Sequence, residues 1–189
     1  KGVPMLKIYI VIGICVLLTA CDSKEDDLLV VEPPSQVATY ELKLVSNWTS
    51  DTFPTNYPDS AHYSGLVGLT HNNLNKIYEL DHIASDGIVS MAESGSKEIL
   101  LEEIYDLQNN GFSEHTIDGD GIAVGSKEVS LEFDVSLDFS YISVVSMLAP
   151  SPDWFVGISG YNLLENGQWI ETKEIELLVY DAGSDDGSV

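Results

Sequence analysis

Apolar and polar residues alternate with a period of two through much of the chain beyond Ala38. In "SLEFDVSLDF" the side chains of Leu131, Phe133, Val135, Leu137 and Phe139 fall on one face, with Glu132, Asp134, Ser136 and Asp138 on the other. Such a run predicts a half-buried β-strand, because successive side chains of an extended backbone point to opposite faces. "ATYELKLV" repeats the rhythm, with Tyr40, Leu42 and Leu44 set against Thr39, Glu41 and Lys43. "YISVVSML" (141–148) is apolar on both faces and predicts an interior strand. "SGLVGLTH" (64–71), "WFVGIS" and "WIETKEIELLVY" predict further strands, the last two separated by a turn at Glu165–Gly167.

Two segments break this rhythm. "SDGIVSMAESG" begins on a capping serine, Ser85, and stops on Gly95. "SKEILLEEIYDLQNNG" begins at Ser96, carries acids in its first turn and ends at Asn110-Gly111. Both predict short helices. Many strands with one or two short helices in the connections predict a mainly β protein, an antiparallel β-sandwich. Domain organisation follows: a leader at 1–20, an acidic tether at 21–37 and one sandwich domain at 38–189.

The leader is read from "KIYIVIGICVLLTAC", a lysine followed by an apolar run that closes on small residues before Cys21. It is short for a membrane span and has the layout of a secretory signal. "LTAC" resembles the lipobox of bacterial lipoproteins, which implies that Cys21 is lipidated and anchors the chain to a membrane. "DSKEDDLLVVEPPSQ" (22–36) reads as a solvated, proline-punctuated tether. Its acids also resemble the surface-export signal of some bacterial lipoproteins. The expected location is therefore the bacterial cell envelope, lipid-anchored, at the outer membrane and exposed at the surface.

Charge narrows the function. Eight lysines, no arginine and 31 acids give a net charge of −23. Removing Lys1 and Lys7 with the leader would leave 6 − 31 = −25. A field of that sign repels polyanions, and without arginine there is no bidentate fork for phosphate or guanine. Nucleic-acid binding is excluded on these grounds, and attraction to cations is the corollary. Cleavage before Cys21 would also discard Cys15, so no intramolecular disulfide is expected.

Five stretches in order, "ATYELKLVSNWTSDTFPTNYP", "AHYSGLVGLTHN", "ASDGIVSMAESGS", "SMLAPSPDWFVGIS" and "YDAGSDDG", resemble the spondin N-terminal domain of the F-spondin and mindin family. The resemblance implies an antiparallel β-sandwich with a calcium ion held by aspartates in end loops. Carried over by motif, the ligands are Asp153 in "PSPDW" and Asp181 and Asp185 in "DAGSD". The turn chemistry is compatible. Asp181 ends an apolar strand, Asp185 follows four residues on, and Gly183 lets the chain fold back so that carboxylates and a carbonyl can meet one ion. A solvated acidic turn is the plainer alternative, with Asp186 as a reserve ligand or a solvated side chain. The animal domains carry cysteines where this chain has "LLENGQWIE", so their bridge is missing.

Other motifs carry less. "TIDGDGIAVG" (116–125) places Ile122 and Val129 where a calcium-binding EF-hand loop needs oxygens, and reads as a glycine-rich hairpin or excursion. His62, His71, His82 and His115 have no metal-site spacing. "GISGY" is not a nucleophile elbow. Trp48 and Trp154 lie in or near loops, and each is a candidate partner contact or a core side chain. The expectation is a non-enzymatic, lipid-anchored binding or adhesion module whose calcium ion fixes the end loops, with an extracellular protein or glycan as ligand. The alternatives are a structural envelope lipoprotein with a purely stabilising metal and, less favoured, a carbohydrate-active enzyme.

Overall fold

A computed structural model describes residues 6–13 and 33–186. Its strands, in chain order, are β1 (Leu6–Ile12), β2 (Val37–Ser46), β3 (His62–Tyr63), β4 (Val67–His71), β5 (Ser113–Asp118), β6 (Glu128–Ser136), β7 (Tyr141–Ala149), β8 (Trp154–Asn162), β9 (Leu164–Glu165), β10 (Gln168–Trp169) and β11 (Thr172–Asp181). The helices α1 (Asp86–Ser94) and α2 (Glu98–Asn109) lie between β4 and β5. Nine strands form one antiparallel sheet in the order β5-β4-β7-β8-β11-β1-β2-β6, with β3 added to β7. The sheet curls until its two ends approach, and Ser136 on β6 donates a hydrogen bond to Glu114 on β5. The architecture is mainly β and antiparallel with two helices, as the sequence predicts; its two layers belong to a single, nearly closed sheet.

Two cores sit on either side of the wall. Inside the curl pack Tyr40, Leu42, Leu44, Phe133, Val135, Ile142, Val144 and Val156. Outside it, α1 and α2 cover the opposite face of β4, β7 and β8 through Ile88, Met91, Leu100 and Ile104 against Val67, Leu69, Val145 and Phe155. β7 therefore lies between two apolar layers, which is why its sequence does not alternate. Ser85 caps α1, accepting from the Ile88 N–H at 3.2 Å, and Gly95 ends it in the left-handed conformation. Asn166 and Gly167, both at positive φ, form the tight turn between β9 and β10 that "ENG" predicts. The 119–127 segment is an excursion: β5 pairs with β4, β6 pairs with β2, and Ile122 is buried in the inner core.

Two expectations change. The strand of "SLEFDVSLDF" ends at Ser136, and residues Leu137–Phe139 turn into a 3₁₀ helix although the apolar alternation continues through them. More consequentially, residues 6–12 do not lie outside the fold. β1 is inserted between β11 and β2, antiparallel to both, with Leu6, Ile8 and Ile10 fully buried. An apolar leader with Lys7 and Tyr9 at alternate positions also satisfies a strand, and the sheet offers such a strand two hydrogen-bonding edges. Burying three large aliphatic side chains contributes roughly 1.5–3 kcal/mol each. The body itself enters β2 at Val37, one residue before the predicted boundary. Cys21 and most of the tether lie outside the described residues.

Candidate functional site

The end of the sheet where β7 leads into β8 and β11 terminates brings the sequence-predicted residues together. β8 and β11 pair antiparallel with Trp154 opposite Asp181 and Phe155 opposite Tyr180. The residue before β8 and the turn after β11 must therefore be neighbours. Asp153 is fully buried, and its backbone carbonyl accepts from the Ala182 N–H at 3.1 Å. Its Oδ2 accepts from the Ser184 N–H at 2.8 Å, the Asp185 N–H at 3.2 Å and the Ser184 hydroxyl at 3.3 Å. One carboxylate oxygen thus gathers the turn that follows β11, and Gly183, at φ +74°, supplies the left-handed residue that the turn requires.

The other oxygen, Asp153 Oδ1, is buried without a hydrogen-bond partner, and Asp153 makes no ion pair among the described residues. A buried carboxylate oxygen left in this way is costly unless a cation or a further donor meets it. Asp181, exposed at the rim, is engaged locally: Oδ1 accepts from the Gly183 N–H at 2.8 Å and Oδ2 from Trp154 Nε1 at 3.3 Å. The structure thus brings Asp153, Asp181 and Asp185 together at one end of the sheet. Among the described residues, however, no three Asp, Glu, His or Cys side chains converge into a metal-holding group. The orphan oxygen fits a hard cation; a complete carboxylate shell is not assembled around it.

Beside this turn lies an open groove of about 540 Å³, lined by Trp48, Leu148, Pro150, Trp154, Val179, Tyr180 and Asp181. Both tryptophans singled out in the sequence line it, in different roles. Trp48 is partly buried, edge-on to Tyr57 and Tyr63, and packs against the inner core. Trp154 is 44% exposed, with its indole N–H fixed by Asp181. Leu178 and Val179 at the end of β11 are also exposed, and these the pattern reading passed over. The available signal was the unalternating "LLVY", in which a strand with one buried face carries apolar residues on both.

His71 lies at the other end of β7, opposite Tyr141. His71 and Ser143 are buried in a closed network: the His71 Nδ1–H donates to the Asn72 carbonyl at 2.6 Å, and Ser143 Oγ–H donates to Nε2 at 2.8 Å. Ser143 Oγ in turn accepts the Gly160 N–H at 2.7 Å, where β8 bulges against β7. Burial holds the His71 imidazole below its ordinary range.

Residues 38–189 match the protein family described as Spondin_N. Among curated proteins the chain is similar to Spondin-2 of rat, at 32% identity over 155 residues, which is 80% of this chain and 47% of the relative. Human Spondin-2 is 30% identical with the same coverage. Spondin-1 of mouse is 31% identical over 79% of this chain but only 19% of its own length. The chain thus spans less than half the length of these relatives.

Proposed function

Because this chain belongs to the Spondin_N family, we propose that it is a lipid-anchored binding module of the bacterial cell envelope, in which calcium fixes the loops beside an aromatic groove. The observation that carries this reading is Asp153: a fully buried carboxylate that gathers the Asp181–Asp185 turn with one oxygen while the other has no partner among the described residues. Calcium would be held by Asp153, Asp181 and Asp185, with carbonyls and water completing the six to eight oxygens it takes. Its contribution is charge. It offsets the desolvated carboxylate and the acids crowded behind it, in a chain of net charge −23. Cys21, after removal of the leader, would carry the lipid.

Adjacency favours recognition over a purely stabilising metal. The turn that the ion would rigidify supplies Asp181, and Asp181 holds the exposed Trp154 ring over a groove with Pro150, Val179 and Tyr180. An aromatic face of this kind suits an apolar side chain or the C–H face of a sugar, in keeping with an extracellular protein or glycan ligand.

Calcium titration of the lipid-free protein, by calorimetry and thermal melting beside Asp153→Asn, tests the reading. Saturable binding that raises the wild-type melting temperature and is abolished in the variant supports it. An identical, non-saturable response to calcium and to matched ionic strength in both proteins would refute the metal. The groove is tested separately by retention on matrix and glycan arrays: Trp154→Ala should lose retained ligands at least tenfold while melting within a few degrees of wild type.

A further inference from the structure

Trp48, which lines the aromatic groove, also lines a second cavity, of about 350 Å³, between the 47–63 loop and the tip of the 119–127 excursion. The excursion is pinned at two points. The Tyr63 N–H donates to the carbonyl of Ile122, itself buried in the inner core, at 3.0 Å, and the Ser46 N–H donates to the Lys127 carbonyl at 2.7 Å. Between these points the Ser126 N–H donates to the Ala123 carbonyl at 2.9 Å, and Gly125, at φ +80°, supplies the left-handed residue of that tight turn. Val124 is carried outward on it, 58% exposed. The opposite wall is aromatic. Trp48 stands edge-on to Tyr57 and Tyr63, with ring centroids 5.7 and 5.9 Å apart, and the Tyr57 hydroxyl donates to the Trp48 carbonyl at 3.1 Å. Both walls are set by contacts within the fold, so the cavity is formed before anything enters it.

The lining combines these rings with the hydroxyls of Ser50 and Ser126 and one fixed charge of each sign, Asp59 and Lys127. In a chain of net charge −23 that local balance selects a neutral ligand: the whole field repels an anion, and the more acidic surfaces elsewhere compete for a cation. Tyr63 adds a polar group that the fold does not use. It is 2% exposed, and its Oη has no hydrogen-bond partner among the described residues. The nearby Ser46 Oγ accepts the Trp48 N–H at 3.1 Å and lies outside hydrogen-bonding geometry with Tyr63. A buried hydroxyl left in this way costs stability until a donor or acceptor meets it. The cavity is small for a ligand site, with room for one ring rather than a chain. Aromatic faces suit C–H groups, and the hydroxyls and the carboxylate suit a ligand rich in hydroxyls.

We propose that this cavity binds one neutral hydroxylated ring, a monosaccharide unit free or at the end of a glycan, packed on the Trp48 and Tyr57 rings and hydrogen-bonded to Tyr63 Oη. The site is distinct from the aromatic groove and does not rest on the calcium reading. It gives a role to the glycine-rich excursion, whose turn holds one wall in place.

The test uses the full chain, isotope-labelled for NMR, with the methyl glycosides of glucose, galactose, mannose and N-acetylglucosamine as probes. One of them should shift the Trp48 indole N–H and the Ala123 and Val124 amides saturably at millimolar concentration, leaving the Trp154 indole unmoved. Tyr63→Phe removes an oxygen that has no partner, so it should melt at or above the wild-type temperature and yet bind about tenfold more weakly. Val124→Trp, at an exposed position on the lining, should melt as wild type does and lose the probe. An oligosaccharide ending in the same ring separates the two sources: tighter binding than the methyl glycoside marks a glycan terminus, and equal binding a free sugar. Three results would overturn the proposal: no shift at Trp48 with any glycoside, shifts confined to Trp154, or a Tyr63→Phe protein that melts lower or binds as tightly as wild type. Calcium binding is read separately through Asp153→Asn, so the failure of either reading leaves the other standing.

Discussion

At the residue scale, buried polar groups divide into those whose partners are complete and those whose partners are not. His71 belongs to the first kind. Its two nitrogens are committed, one donating and one accepting, and protonation would take the acceptor away from Ser143. Its folded-state pKa lies below the unfolded value near 6.5, chiefly through burial. Above that value both states are neutral and the group contributes no pH dependence. As pH falls through it the unfolded chain binds the proton first, so stability is lost at no more than about 1.4 kcal/mol per pH unit. Urea midpoints measured at pH 7.5 and 5.5 should therefore fall further in wild type than in His71→Gln. Asp153 belongs to the second kind, and sequence reasoning could not have separated the two. "PSPDW" and "DAGSD" advertise carboxylates in loops, but only pairing β8 with β11 shows that Asp153 is sealed and Asp181 is not.

At the scale of elements, the strands and helices that alternate or cap cleanly were legible in the sequence: β2, β4, β7, β8, β11 and the two helices all fall where periodicity and punctuation place them. What was not legible depends on tertiary context. Leu137 and Phe139 continue an apolar alternation that the chain abandons, and residues 6–12 satisfy a leader and a strand equally well. The contact between α1 and α2 is a third case. Glu103 on α2 accepts from the Gly87 N–H at 2.8 Å and from the Ser85 hydroxyl at 2.7 Å, so a side chain of one helix completes the cap of the other. Helix propensity alone makes Gly87→Ala stabilising by up to about 1 kcal/mol. Yet a Cβ there would lie 2.7 Å from Leu100 Cα and 2.6 Å from Glu103 Oε2. The backbone contact decides the sign, and we expect Gly87→Ala to destabilise by about 1–3 kcal/mol in urea unfolding with no change in m.

For the whole molecule, charge sets the scale. With 31 acids and eight lysines the folded chain works against its own field, and three lysines are spent across elements: Lys7 to Glu174, Lys43 to Glu128 and Lys97 to Asp118. Exposed pairs of this kind are weak and screened by salt, and do not offset such an excess of like charge. Raising sodium chloride from 10 to 150 mM should therefore increase the melting temperature through general screening. Asp153→Asn should respond to salt as wild type does, which separates that effect from a calcium-specific one.

The sheet order also sets when the fold can be finished. The innermost pairing joins Leu6 to Leu177, near the first and last described residues, and Asp153 meets Ser184 only once the turn after β11 exists. During synthesis β2 and β6 can pair early, but the curl stays open until β11 has emerged. Contacts so distant along the chain are slow to form. A nascent chain of this topology can assemble β2, β4, β5, β6 and β7 early, yet its core closes only after β11 has emerged.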